Sequence, residues 1–348
     1  MTKFSTSENL RMPAEWEKQK STWIAWPHNK KDWPNRFHFI PYIFAEIISY
    51  ISKDQVVNIL IENNALKKKA LSILKNFEVK FSNIRFNLCK TDRVWLRDSF
   101  PIFVKNNRNN KILIDWKFNS WAKYKNFKKD NGIIKKVKRI LKLHSISPKY
   151  NKKKVVLEGG AIDVNGKGAL ITTEECLLSK IQQRNHGLKK SDYEKLFFNY
   201  FGVSKVIWLK RGIIGDDTHG HIDDLARFVS ENKLFVAYEK NKKDANYKIL
   251  KNNLKIVKKS NDLKNLKIIK IPMPKAIYIE RTRVPATYLN FYIANKIVLV
   301  PTFKDKNDKL VLKIFKKHFK NRKIIPIDCS LLIWGFGAIH CMTQQEPR

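Results

Sequence analysis

Apolar positions along this chain follow two rhythms, one of helices and one of strands. Between residues 42 and 74, Ile, Leu and Val recur at helical spacing, interrupted near Asp54. Further helices are predicted over 191–201, stopping at Gly202, over 245–260 and over 310–319, and a short one begins at Glu174–Leu178. Short runs rich in β-branched residues predict strands at 111–116, 154–157, Lys205–Leu209, Lys233–Tyr238, 268–271, 297–300 and 324–327. Residues 161–172 read as a hairpin, because Asn165-Gly166 stands between alternating apolar positions. Strands and helices alternate throughout, which is the pattern of an α/β chain. No run approaches the roughly 18 apolar residues that a membrane-crossing helix needs. Residues 1–11 are polar, which predicts no secretory signal.

Composition adds that 43% hydrophobic and 12% aromatic residues over 348 positions suffice for a full core. A disordered basic tail is excluded. Length allows one large domain or two ordinary ones. The charge is lopsided: 70 Lys and Arg stand against 31 Asp and Glu, a net +39. Such an excess suits an anionic partner such as nucleic acid or a membrane surface. Its make-up argues otherwise. Lys supplies 56 of the cations and Arg only 14, although the Arg fork is the better phosphate ligand. The Lys-rich stretches (67–69, 135–138, 313–320) fall on helix faces, where charge is ordinarily solvated. Asn, Ile, Phe and Tyr are abundant too, as an A- and T-rich genome would write on tolerant surfaces. Four Cys in so long a chain make no disulfide framework, and no CxxC pair suggests zinc. A reducing cytoplasm is expected.

Chemistry gathers where Gly and carboxylates cluster. Residues 215–224 hold four Asp and two His just after a predicted strand. Like charges at that density shift one another's pKa values. Two chemistries fit. His219-x-His221-x-Asp223 would put three ligands on one face of an extended segment, as in a metal site. That pattern continues with a further His where this chain has Asp224, and downstream only His318 and His340 remain. Alternatively, His221 is a general acid/base and Asp223 a carboxylate aimed at a cation, with the nucleophile elsewhere. Cys341 is the candidate, set in a Gly-punctuated apolar turn over 334–345. Cys89, Cys176 and Cys329 read as small buried apolar residues. Two more segments belong to the same picture. Residues 92–101 set Trp95 and Asp98 before a Pro, with Arg97 as an ordinary partner for Asp98, and Glu158 stands before Gly159-Gly160 at a strand end.

Taken together these segments resemble the agmatine deiminase family, which includes bacterial peptidyl-arginine deiminases and belongs to the wider guanidine-modifying superfamily. The ordered set is Trp-x-Arg-Asp-x-x-Pro at 95–101, Glu-Gly-Gly at 158–160, Gly-Asp-Asp-Thr-x-Gly-His-x-Asp at 215–223 and Gly-x-Ile-His-Cys-x-Thr-Gln-Gln at 337–345. Residues 12–17, 23–27, 170–178 and 283–292 extend it over nearly the whole chain, in order.

The resemblance implies a five-bladed, pseudo-symmetric α/β propeller of ββαβ modules around a central, negatively lined channel, as a single catalytic domain over 1–348. It implies hydrolysis of a guanidine to a urea and ammonia without cofactor or metal. Cys341 matches the nucleophile and His221 the acid/base. Asp98, Glu158 and Asp223 match carboxylates around the guanidinium and the His. Trp95, Asp217 and Thr218 match substrate contacts, the last two toward the substrate's far end. The expected reaction takes agmatine to N-carbamoylputrescine through a Cys-linked thiouronium, in the cytoplasm, within putrescine biosynthesis. The expected partner is a small cationic guanidine, with no specific nucleic acid and no membrane; homo-oligomerisation is left open. The runner-up substrates are free, methylated or peptidyl arginine, whose carboxylate would call for an Arg such as Arg211, Arg281 or Arg283. A reading of another class is a basic nucleic-acid-binding protein on a retained enzyme fold. The chain departs from the family at Ala161, Asp163 and Ala338, where Asn, His and Asn are common, and at Phe336, where Gly is common.

Overall fold

The computed structural model describes residues 9–260 and 265–348. Among them, five sheets have three or more strands, and all five share one plan. An outer strand runs antiparallel to a middle strand, and the middle strand runs parallel to a third. Parallel neighbours need a long crossover, and in each sheet that crossover carries a helix.

The first sheet pairs Thr343–Pro347 with Gln19–Ala25, then adds Val56–Ile61 and Ile84–Leu88 through the helices Ile40–Ser52 and Asn64–Leu74. The second joins Ile102–Lys105, Lys111–Ile114 and Ser145–Ile146, with helix Ile133–Leu141. The third joins Asp163–Val164, Ala169–Thr173 and Lys205–Leu209, with helix Lys190–Phe201. The fourth joins Ala226–Ser230, Lys233–Tyr238 and Lys267–Pro272, with helix Asn246–Lys259. The fifth joins Tyr292–Ile293, Ile297–Thr302 and Lys323–Asp328, with helix Asp308–His318. The molecule is thus mixed α/β. No helix among the described residues is long and apolar enough to cross a membrane.

Middle strands are covered on both faces, so their sequences are continuous apolar runs rather than alternations; Ile297–Thr302 is buried at every position. The same rule explains a correction. Residues 56–61, expected within a helical stretch, form a strand buried at five of six positions. An apolar run of that length has no periodicity that separates helix from strand. The expected strand at 154–157 shrinks to Lys153–Lys154 and a single bridge from Val156 to Lys117, because the backbone turns at once into the Gly159–Ala161 turn. The expected hairpin forms, with Asn165 Oδ1 accepting from the N–H groups of Lys167 and Ala169 and Gly166 at φ 70°. Thr343–Pro347 escaped sequence reading because it is polar, yet all five residues are buried. Several of its polar groups are paired: Gln345 accepts from Arg97 at 2.7 Å, and Glu346 from Ser21 at 2.6 Å, while Gln344 Oε1 has no partner among the described residues.

One regularity positions the site. Each outer strand is entered from a short turn: Leu96–Ser99, Gly159–Ala161, Ile222–Asp224, the stretch just before Tyr292, and Ile339–Met342. Those five entries carry Asp98, Glu158, His221 with Asp223, Asn290, and Cys341.

Candidate active site

Cys341 sits in the turn Ile339–Met342, 7% exposed. Asn290 holds it twice: its Nδ2 donates to Cys341 Sγ at 3.0 Å, and its Oδ1 accepts from the Cys341 N–H at 3.2 Å. The same Nδ2 donates to Asp224 Oδ1 at 3.0 Å. Asp223 Oδ2 lies 3.8 Å from the sulfur. Burial, then Asp223, Asp224 and Asp98, push the Cys341 pKa well above the usual thiol value. Burial and Asp223 likewise push Asp224 up. Asp223 is held low despite its burial, because His340 donates to it and His221 and Arg227 lie near. His340 bridges inward, with Nδ1 2.7 Å from Asp223 and Nε2 2.8 Å from Glu15. Glu15 is clamped in turn by Arg97 at 3.1 Å and Arg227 at 3.0 Å. Arg97 therefore faces Glu15 and Gln345, and is not the partner of Asp98.

His221 is 1% exposed, and neither ring nitrogen has a hydrogen-bond partner among the described residues. Its Nδ1 stands 3.8 Å from Asp98 and 3.9 Å from Asp223. Burial opposes its charge, but Asp98, Cys176 and Asp223 outweigh that and raise its pKa well above the usual imidazole value. Asp98 accepts from the Gly160 N–H and from Trp121 Nε1, both at 2.9 Å. Burial, with Asp223 and Glu158 adding to it against His221, pushes Asp98 up to about 6. A Cβ on Gly160 would stand 2.6 Å from His221 Nδ1 and 2.8 Å from Asp98 Oδ1, so only glycine leaves the imidazole and the carboxylates their space. Glu158 is fully buried; Arg184 donates to its Oε1 at 2.9 Å, while Oε2 has no partner.

Above these groups opens a cavity of about 530 Å³, lined by Cys341, Asp98, Trp95, Asp217 and Thr218 among others. Trp95 packs against Gly337, where a Cβ would come within 2.7 Å of the indole. Asp217 accepts from Tyr124 at 2.7 Å. The Thr218 hydroxyl is committed to Asp216 at 2.5 Å. Asp216 organises the whole loop, since its other oxygen accepts from the N–H groups of Gly220 and His221. All eight residues singled out in the sequence therefore belong to one neighbourhood: Cys341, Asp98, Trp95, Asp217 and Thr218 line the cavity, and His221, Asp223 and Glu158 lie behind it. Arg211, Arg281 and Arg283 do not line it; Arg211 pairs with Glu175 and Arg283 with Asp244.

The His219-x-His221-x-Asp223 chelate does not form. His219 turns away at φ 68° and its Nε2 meets Ser179 Oγ at 3.1 Å. Among the described residues, Glu158, Cys176 and His221 are the group whose ligating atoms gather closely enough for an ion, within 4.8 Å. The Arg184 guanidinium already supplies a positive charge there. Sequence reading missed Glu15, Arg184, Asp216, Arg227, Asn290 and His340. Glu15, Asp216, Asn290 and His340 lie inside the quoted motifs and were legible as neighbours. Arg184 carried no signal. Of the departures, Phe336 lines the cavity at φ 62°, a backbone region that favours glycine. Asp163 does not line it: it pairs with Arg227 at 3.2 Å and accepts from the Phe228 N–H at 2.5 Å.

The model for Porphyromonas-type peptidyl-arginine deiminases matches residues 11–347. A Mycoplasma capricolum protein named "Putative agmatine deiminase" is 33% identical over 97% of this chain and 95% of its own length. The solved structure of the C. jejuni agmatine deiminase with substrate bound is 29% identical, spans 100% of this chain and 99% of its own, and superposes with a TM-score of 0.88. The agmatine deiminase of Enterococcus faecalis, solved catalysing its reaction, is 28% identical over 98% of this chain and 96% of its own, also at 0.88. The chain belongs to the agmatine deiminase family of hydrolytic guanidine-modifying enzymes.

Proposed function

We propose that this protein hydrolyses agmatine to N-carbamoylputrescine and ammonia, with Cys341 as nucleophile and His221 as acid and base. The observation that carries the reading is a buried thiol that lines one cavity with the buried carboxylate Asp98, backed by the buried carboxylates Asp223 and Asp224. Such a setting repels anions and suits a planar cation. Asp98 and Asp223 accept guanidinium N–H groups and fix its plane. The arriving positive charge offsets the carboxylates that hold the thiol protonated, so substrate binding itself favours the thiolate, and the thiol proton leaves to solvent. The sulfur then attacks the guanidinium carbon and forms a tetrahedral adduct. His221, protonated in the free enzyme, gives its proton to one nitrogen, and the carbon–nitrogen bond breaks to release ammonia. A Cys-linked thiouronium remains. Neutral His221 takes a proton from water, the resulting hydroxide adds to the carbon, and the carbon–sulfur bond breaks to give the urea as the hydroxyl proton passes to the departing sulfur and restores the thiol. Glu158, held by Arg184, stands close to His221.

In this reading the five sheets are the blades of a propeller closed by the pairing of Thr343–Pro347 with Gln19–Ala25. The chain acts as one catalytic domain, in the cytoplasm, where its four cysteines remain free thiols; its product feeds putrescine formation. Agmatine is favoured over arginine because the cavity's own Arg93 is committed to Asp32 at 2.6 Å, which leaves no free guanidinium for a substrate carboxylate. The test is ureido product from purified protein with a metal chelator present. Product from agmatine is expected; none from agmatine, arginine or peptidyl-arginine would sink the deiminase reading.

A further inference from the structure

His340 precedes the nucleophile in the chain, yet the reaction above gives it no part, and it does not line the cavity. It is 2% exposed in the turn Ile339–Met342. Both of its ring nitrogens face carboxylate oxygens at hydrogen-bond distance: Nδ1 lies 2.7 Å from Asp223 Oδ2, and Nε2 lies 2.8 Å from Glu15 Oε2. Contacts that short each hold a proton between nitrogen and oxygen. A neutral imidazole has one N–H to give, and the charged ring has two.

The surroundings decide where the second proton rests. Burial, Arg227 and Arg97 pull the imidazole pKa down, against Glu15 and Asp223. The geometry sets the outcome against that pull, because neither carboxylate can keep the proton instead. Burial opposes charge on Glu15, but Arg227, His340 and Arg97 hold its pKa well below the usual carboxylate range. Its oxygens are also taken: Oε1 accepts from the Ile293 N–H at 2.8 Å and pairs with Arg227 at 3.0 Å, and Oε2 accepts from Arg97 at 3.1 Å. Asp223 is held low by His340, His221 and Arg227. Six other ionisable side chains face this chain of three: Arg97, Arg227 with its partner Asp163, and then Asp98, Asp224 and His221.

We infer that His340 is a positioning residue for the proposed reaction: anchored on Glu15 and donating both ring N–H groups, it fixes Asp223 in its place and in its charged form. Asp223 is where this matters, since its Oδ2 lies 3.8 Å from Cys341 Sγ and its Oδ1 3.9 Å from His221 Nδ1. Without the imidazole, Asp223 is a buried carboxylate that has lost its donor. It then takes up a proton at higher pH than before, and the neutral form no longer attracts a guanidinium.

This inference rests on the deiminase reading, so the experiment separates the two. Ammonia release from agmatine by the unaltered protein tests the reaction. His340 is tested without turnover. In protein isotope-labelled at the histidine ring nitrogens, the His340 resonances are assigned by their loss in His340→Gln. Both nitrogens are expected to carry a proton at a pH of about 7.5, where an ordinary imidazole is neutral. Agmatine is then titrated calorimetrically over a range of pH into Cys341→Ala and into Cys341→Ala/His340→Gln. Binding to Cys341→Ala should weaken as pH falls through about 6, where Asp98 takes up a proton. With His340→Gln added, the weakening is expected to begin about one pH unit or more higher, while the Kd at a pH of about 9 stays within about threefold. Glu15→Gln in place of His340→Gln removes the anchoring charge at nearly constant shape and is expected to move the weakening the same way. Equal weakening at every pH makes His340 a structural support and overturns the inference. So does a His340 nitrogen without a proton at that pH, no binding of agmatine, or failure of both variants to melt cooperatively. A moved pH dependence of binding, in a protein that releases no ammonia unaltered, keeps His340 as the support of Asp223 and removes the proposed reaction.

Discussion

The groups around Cys341 raise its pKa, the opposite of what a free nucleophilic thiol needs. Activation must come with the substrate's charge. Cys341→Ala is expected to abolish ureido formation, while Cys176→Ala, whose thiol faces His221 rather than the cavity, keeps it; equal loss in both would make Cys341 merely structural. The pH profile follows from Asp98. Burial raises this carboxyl to about 6, so it is ionised above that pH and neutral below it. In the proposed mechanism the ionised form binds the guanidinium, so kcat/KM should fall as pH drops through about 6, the value for the free enzyme. A profile flat from about pH 7.5 to 5 would remove Asp98 from substrate binding. At this scale the acids and the thiol were legible in the sequence, because unusual residue types stood together. Arg184 was not, because it matters only through a partner in another segment, Glu158, and lies in no quoted motif.

The short turns that enter the outer strands carry the candidate site residues, and their tolerance is small. Gly160→Ala is expected to leave the circular dichroism spectrum intact and lower kcat by about a hundredfold or more, since a misplacement near 1 Å at a reacting centre costs that much. Its Cβ would collide with His221 and Asp98. A variant with normal kcat would show that the imidazole does not need its present position. Removing residues 341–348 is a poorer test of the nucleophile. It also strips the strand Thr343–Pro347, with its pairing to Gln19–Ala25 and its Arg97 and Ser21 hydrogen bonds. Loss of soluble, cooperatively melting protein is expected on truncation, whereas Cys341→Ala should melt as the unaltered chain does. Helices with clear stops were legible: Lys190–Phe201 ends at Gly202, φ 67°. Strands hidden by burial on both faces (Val56–Ile61) or by polarity (Thr343–Pro347) were not.

Across the whole molecule, charge is sorted by depth. Among the described residues nine Asp and Glu are buried, and no Lys is. The +39 therefore lies mainly on the surface, where opposite charge is attracted weakly and salt screens it beyond about 8 Å. Duplex DNA in excess is expected to leave ammonia release unchanged at about 0.15 M salt, and any binding to vanish as salt rises. Inhibition by DNA that persists at high salt would revive a nucleic-acid role. The sequence by itself determined the alternation of helices and strands and the candidate residues of the site. Both are written locally, in periodicity and in the crowding of titratable side chains between glycines. Only the tertiary structure decided that Arg97 serves Glu15 rather than Asp98, that His219 turns away, and that five strand entries from five sheets gather around Cys341 and His221. Those outcomes depend on contacts between segments far apart along the chain, and no local pattern records them.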